Sequence, residues 1–525
     1  MRSATLVWTV LLAALVVLAC ACGSRGGNGS GTGSHTPAIS IIPASLPNGM
    51  VSFPYSQSIN AVDGAAPITW TISSGSLPRN VTMANSSTGS VILSGTPDAA
   101  QSATFTIQAK DAINRVGVQS YTIKITAVGK AGMQSTGAQV PAGIIEIRGL
   151  SAGPFNPLSW QQNTLNWVPD VRLPMLAPLA TSAWQNIYAP WALEQPTGWR
   201  MFYGGWDGSP TPNDRVYSID TPDFLTFTDR IMVIDHGDFL HVNNENITQL
   251  SDGSMHMICT IAVDETSNGK PAYFASPDGI TWNGTSEPYS ARLTDVVSIP
   301  NDSNYPGWDF NGGNVLLWDA NTWALYYSVG IYGGIGQVYR ATSTLPPIFQ
   351  KTGVALDTLN YINDVKKFSV GGKTWYLASL YVERATFDPS APTLTYSLSN
   401  DGVTFGPEQI LFSGATATDK FLMTPSFVTR NGSILGVLYG ANATDLLDPN
   451  QIFARWLQKQ LVITNTTGPR TTPLGAHGPD RQWLQAPSSG AITGSIAVYA
   501  EDGVTPLGRG QVSLAGGKSY ILVLN

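Results

Sequence analysis

The chain has 525 residues, with 28 Lys and Arg against 35 Asp and Glu and a formal net charge of −7. That length exceeds one core and predicts two or three domains, and the acidic balance excludes the basic face that nucleic acid requires. With 53 Gly, 35 Pro, 10% aromatics and no sustained helical period, the chain reads as nearly all β. Cys20, Cys22 and Cys259 exclude a disulfide scaffold, and Cys259 reads as a small buried hydrophobe in an apolar strand.

Residues 1–19 join Arg2 to an apolar run from Leu6 to Ala19. The run is shorter than the roughly 20 residues of a spanning helix and has the shape of a secretory signal. Val17-Leu18-Ala19-Cys20 resembles a bacterial lipobox, which implies lipidation at Cys20; Cys22 is a second site, and an ordinary cleaved signal is the alternative. Residues 20–37 are rich in Gly and Ser and read as a flexible tether. The expected location is the bacterial cell envelope, extracytoplasmic, with the membrane touched through the lipid anchor only.

From 38 to 128 apolar and polar residues alternate, with turns at the spacing of a β-sandwich. Ile68, Trp70 and Ile72 share a face, as do Phe105 with Ile107, and Tyr121 with Ile123 and Ile125. Leu46-Pro47-Asn48-Gly49, Tyr55, Pro67-Ile68-Thr69-Trp70, Gly75-Ser76-Leu77-Pro78, Ser94-Gly95-Thr96-Pro97 and Lys110-Asp111 appear in that order. This segment resembles the Ig-like family of bacterial surface proteins, which implies a spacer or adhesive module. Asp111 reads as a turn cap rather than an ion ligand.

After a Gly/Ser/Ala-rich linker, residues 140–465 repeat one phrase five times, roughly every 50–70 residues, the period of propeller blades. Its aromatic-rich middle strands are Trp199–Tyr203, Gly253–Ile258, Thr322–Tyr327, Lys373–Leu377 and Gly432–Val437. A third strand follows each: Val216–Ile219, Ala272–Ser276, Val338–Thr342, Leu394–Ser397 and Ile452–Trp456. A small sheet covers both faces only when its neighbours stand around an axis, so the phrase predicts a five-bladed β-propeller. Ser276-Pro277-Asp278-Gly279 and Ser399-Asn400-Asp401-Gly402 predict tight structural turns away from the axis. The tail, 466–525, is expected to form a small C-terminal β appendage.

Blade number, blade length and hairpin style resemble the superfamily containing glycoside hydrolase family 43. The resemblance implies carboxylates at the axial mouth, an inverting pair standing roughly 6.5–9.5 Å apart with one kept protonated. At the blade openings the family's base position holds Ala189 of Ala189-Pro190, and the others read Asn244-Glu245, Gly313-Asn314, Asp364 and Thr424-Pro425. The base is thus missing from its place. Asp309 and Asp364 are the leading acid–base candidates, with Glu245 and Asp207 behind them.

Among the 15 Trp, several fall in loops and suit the C–H faces of sugars. Tyr188, Trp191, Tyr203, Trp206, Asn243, Asn244, Trp308 and Asn311 form the candidate sugar site, an aromatic floor with a few polar groups. Packing between blades is the competing role for the Trp. Asp235, His236 and His241 match no zinc spacing, so no metal site is assigned. No cofactor is expected, and an axial calcium stays open: the resemblance implies one, but its supporting His has no clear counterpart in the fifth blade. The expected partner is a polysaccharide or oligosaccharide, bound by a monomer. Two functions stay open: a glycoside hydrolase, or a non-catalytic carbohydrate-binding or adhesion protein that has lost the acids.

Overall fold

The computed structural model describes residues 39–524 apart from 47–48, 52–54, 86–88, 127–133, 136–139, 180–184, 210, 264–268, 286–287, 303–312, 330–335, 383–392, 415–418, 444–448 and 504–505. The chain is nearly all β. Cys20, Cys22, Trp308, Asp309 and Asn311 lie outside the described residues.

The first unit is a sandwich of two four-stranded sheets. One orders Ser40–Ile42, Tyr55–Val62, Val91–Gly95 and Val81–Asn85; the other orders Gly49–Met50, Val116–Thr126, Gln101–Lys110 and Thr69–Gly75. Strand alternation puts Trp70, Phe105, Ile107, Tyr121, Ile123 and Ile125 into one core, as their spacing predicts. The Asp111 carboxylate accepts from the backbone N–H groups of Ala65, Ile113 and Arg115 and from Arg115 Nε, so it caps this turn.

Among the described residues five sheets follow, antiparallel except for one parallel edge pair in the first, and each begins with a strand nearest the next sheet's first strand. These first strands are Gln185–Gln195, His241–Gln249, Asn314–Asp319, Asn360–Val370 and Phe421–Arg430. They pack in succession, and the fifth packs on the first, so the sheets close into a propeller-like ring. Trp167–Pro169, from ahead of the first sheet, pairs with Arg455–Leu457 and completes the last sheet. That cross-pairing joins the two ends of the ring and leaves no open seam.

Local chemistry explains the hairpins. Ala320-Asn321, Gly371-Gly372 and Asn431-Gly432 each form a two-residue loop between first and second strands, with φ of 48° and 60°, 59° and 75°, and 49° and 74°. Positive φ at both positions matches the twist of the paired strands. Asp278 and Asp401 each accept two backbone N–H groups of their own turn, from Ile280 and Thr281 and from Val403 and Thr404.

Second strands carry a small residue where the next sheet's first strand approaches: Gly204, Thr260, Ser328, Ser379 and Gly440. A Cβ on Gly204 would stand 3.1 Å from Asn243 Cβ, and one on Gly440 would stand 2.8 Å from Tyr188 Cβ. Ser328 Oγ accepts from Ile362 N at 3.1 Å, and Ser379 Oγ donates to the Pro425 carbonyl at 2.6 Å.

The tail, expected as a small β appendage, shares its sheets with strands from outside 466–525. Ile144–Arg148, expected inside the ring, pairs antiparallel with Arg481–Gln485 and parallel with Tyr520–Val523. Gln460–Thr467 pairs with Ala491–Tyr499 in a second tail sheet. Ile145, Ile147, Leu484, Ile496, Val512 and Leu522 form a shared core between these two sheets. The strands flanking the ring in sequence thus meet in one small unit, because neither sheet buries its apolar face alone.

Candidate functional site

The inner strands break register at matching places. Between Tyr188 and Trp191, Asn243 and Asn246, and Met423 and Ser426, two residues bulge from the ladder. The first residue of each bulge is left-handed: Ala189 at φ 51°, Asn244 at 52° and Thr424 at 49°. In the fourth sheet a single residue, Asn363, bulges between Ile362 and Asp364. For Ala, and more so for β-branched Thr, this backbone is strained, and such strain persists where surroundings over-determine it. Thr424 Oγ1 supplies part of that support by accepting from Ala189 N at 2.9 Å.

The first two bulges meet in a buried polar cluster. Asp214, just ahead of the third strand of the first sheet, accepts at one oxygen from Tyr188 OH at 2.7 Å, Asn243 Nδ2 at 2.6 Å and His241 Nδ1 at 2.7 Å. Asn243 Nδ2 also lies 2.6 Å from Tyr188 OH. Asp214 is buried, whereas the His241 side chain is 27% exposed and forms the solvent-facing member. A Nδ1–H donated to Asp214 makes Nε2 the acceptor of the neutral ring. The cluster therefore presents an oriented imidazole backed by a carboxylate, an arrangement suited to a hydroxyl-bearing ligand.

Glu245 follows Asn244 in the second bulge and is buried, with neither carboxyl oxygen bonded to another residue. A Cβ on Gly204 would stand 3.1 Å from Glu245 Oε2. Burial pushes this carboxyl well above the ordinary glutamate value, and the Asp214 charge adds to the rise. Glu245 is therefore biased toward its protonated form, near the Asp214 carboxylate and its three donors.

Asp364 has different partners. Its Oδ2 accepts from Phe427 N at 2.8 Å, tying the fourth sheet to the fifth, and its Oδ1 lies 3.3 Å from Lys366 Nζ. Burial raises its pKa to about 6, partly offset by Lys366 and the Phe427 amide. The matching position in the second sheet is Asn246, whose Oδ1 accepts from Leu316 N at 2.9 Å in the third. A side chain reaching the next sheet's backbone is thus a repeated stitch of the ring.

The other expected residues separate into groups. Asp207 accepts from Tyr203 OH at 2.8 Å, Leu179 N at 2.6 Å and Arg230 Nη1 at 2.5 Å. Tyr203 also stacks on Tyr217 with centroids 5.5 Å apart, so both residues belong to the packing of the first sheet. Trp191 is only 3% exposed, and Lys366 Nζ lies 3.6 Å from its ring centroid. That face is covered by an ammonium. Trp206 is partly exposed, on the strand paired with Asn186. Asp235 is engaged by Arg215 Nε, and His236 Nδ1 by the Phe239 carbonyl, so neither joins His241. Among the described residues no group of three or more His, Cys, Asp and Glu is placed to hold a metal ion.

The structure thus brings Tyr188, Asn243, Asn244 and Glu245 together. Sequence reading missed Asp214 and gave His241 no role in the candidate site. Asp214 carries no local signature in Asn213-Asp214-Arg215; only the approach of the second sheet gives it partners.

Residues 37–126 match the family model described as "Putative Ig domain", and this segment belongs to that family. No curated protein matches the chain. Among solved structures, a glycosyl hydrolase from Bacteroides ovatus is similar at 11% identity and TM-score 0.39, over 58% of this protein and 96% of that one. The alpha-L-arabinofuranosidase arb93a of Fusarium graminearum is similar at 12% identity and TM-score 0.38, over 56% of this protein and 98% of that one. The endo-arabinase of Bacteroides thetaiotaomicron is similar at 12% identity and TM-score 0.35, over 52% and 94%. Likenesses of this size carry neither activity nor ligand across to this protein.

Proposed function

We propose that this protein is a monomeric envelope lipoprotein, anchored at Cys20, whose ring binds polysaccharide at the Tyr188–Asp214–His241–Asn243 cluster. One observation carries the reading: a buried carboxylate from the first sheet gathers donors from two sheets at strained bulges and ends in a partly exposed imidazole. Donors and acceptors in fixed orientation suit hydroxyl groups. The Ig-like unit and the Gly/Ser tether would hold the ring clear of the membrane.

Hydrolysis is the second reading, and Glu245 favours it. Burial biases this carboxyl toward its protonated form, and glycosidic cleavage needs one carboxyl of that kind as its acid. Asp309, outside the described residues, and Asp364 remain the other acid candidates.

The test is a binding screen of the mature protein against plant and microbial glycans, with release of reducing ends followed in parallel. Asp214→Ala is expected to weaken binding at least about tenfold, equivalent to roughly 1.4 kcal/mol. Binding that ignores Asp214 and Tyr188 sinks the assignment. Turnover lost in Glu245→Gln with binding retained would make the ring an enzyme; turnover absent from the parent protein would make it a binding module. Labelled lipid on the parent but not on Cys20→Ser tests the anchor.

A further inference from the structure

The tail sheet carries a charged cluster that the ring does not use. Arg148 and Arg481 stand directly opposite each other on paired strands, and Glu146 stands opposite Trp483 two residues away on the same face. Like charges directly opposite in a sheet repel unless an anion is shared between them. Here the shared anion is Glu146 alone. It is buried, and accepts from Arg148 Nε at 2.7 Å and Trp483 Nε1 at 2.8 Å. Arg481 Nη1 and His477 Nδ1 approach it only to 3.8 Å and 3.6 Å. One carboxylate therefore faces two guanidinium groups, and Arg481 makes no closer bond to it. Burial raises the Glu146 carboxyl, but His477, Trp483 and Arg148 outweigh this and hold it at about 2, and two guanidinium groups facing this one carboxylate leave the local excess positive.

The arginine side chains are 31% and 26% exposed, which leaves guanidinium edges toward solvent. The His477 ring covers Trp483, with centroids 3.9 Å apart and planes tilted by 36°, and Trp483 also packs on Val140, Ile144 and Ile521, so the open chemistry of this face is that of the cations. Guanidinium groups recognise planar oxyanions through paired N–H groups. We propose that this face is a second ligand site, for an anionic sugar unit whose carboxylate or sulfate bridges Arg148 and Arg481. Only the sugar part of that ligand rests on the reading of the ring as a polysaccharide binder.

Calorimetric titration of the full mature protein tests it with four probes: tri-galacturonate, its methyl ester, a sulfated disaccharide and inorganic sulfate. Tri-galacturonate is expected to bind at least about tenfold more tightly than its uncharged ester, and Arg481→Gln is expected to erase that difference. Arg481→Lys should restore only part, because an ammonium lacks the planar fork. Melting transitions within about 2 °C of the parent would show that the variants fold. A preference for the sulfated disaccharide, also lost in Arg481→Gln, supports the same oxyanion chemistry from a sulfate source. Binding of inorganic sulfate alone, with no sugar binding, overturns the sugar part of the proposal. Equal binding of acid and ester, or affinity unchanged in Arg481→Gln, overturns it entirely. An acid preference that survives Asp214→Ala keeps this site even if neutral glycans fail to bind the ring.

Discussion

The Lys366 ammonium lies 3.6 Å from the centroid of the Trp191 ring, although the two sit on the first strands of the fourth and first sheets. Those sheets are not neighbours in the ring, so the contact spans the axis. Lys366 is also 3.3 Å from Asp364, which binds the fifth sheet through Phe427 N. Three sheets are thus joined by one lysine, and the cation–π contact gains strength from its desolvated setting.

Lys366→Met should lower the stability of the ring by roughly 3 kcal/mol, because it leaves the Asp364 carboxyl buried without its cation. The double variant Asp364→Asn, Lys366→Met should recover most of that loss, since an uncharged pair escapes the desolvation cost. Denaturant unfolding followed by near-ultraviolet circular dichroism checks the cycle. A double variant as unstable as the single one would show that Lys366 matters through Trp191 instead.

Stability should fall as pH rises through the acidic range. Asp364 has a pKa of about 6 against an ordinary 3.8, raised by burial, so the native state holds a proton that the unfolded chain releases. The resulting stabilisation is complete below about 3.8 and is lost by about pH 6, a span worth about 3 kcal/mol. Glu245 acts with the same sign, from the ordinary 4.5 upward, because burial and Asp214 both raise it. Glu245→Gln should flatten the profile above pH 4.5 and raise stability at pH 7. Melting temperatures between pH 4 and pH 8 are the measurement.

Gly204→Ala should destabilise the ring by roughly 1–3 kcal/mol and weaken any glycan binding at the cluster. The added methyl would press on Asn243 Cβ and Glu245 Oε2, each 3.1 Å away, and push the second bulge off Asp214. Gly153→Ala is the control, because nothing stands within 4 Å of a Cβ there.

Asp401→Ala should cost roughly 1–2 kcal/mol through the two backbone N–H groups it strands, and leave glycan binding unchanged. Loss of binding at unchanged stability would contradict the purely structural role of that turn.

The repeat was legible because hairpin chemistry and aromatic strands are local. Asn431-Gly432 needs no distant partner to form its turn, and Trp199–Tyr203 alternates whatever it packs against. The Ig-like core was legible for the same reason, through Trp70, Phe105 and Tyr121. The candidate site was half legible: Tyr188, Asn243, Asn244 and Glu245 fall at strand openings that the repeat marks. Asp214 was hidden, being an ordinary loop acid until His241 and Asn243 arrive from the next sheet. Trp191 shows the opposite failure, since an aromatic at a strand opening looks like a sugar platform until Lys366 covers it.

By itself, then, the amino-acid order determined an all-β protein, its Ig-like unit, its repeating sheets and the turns between their strands. Those depend on side-chain alternation and on backbone angles set within a few residues. Tertiary structure alone decided that Asp214 gathers Tyr188, His241 and Asn243, that Asp364 stitches two sheets, and that Ile144–Arg148 joins the tail. Such pairings join residues tens to hundreds of positions apart, and burial and charge act only once the sheets have closed around each other.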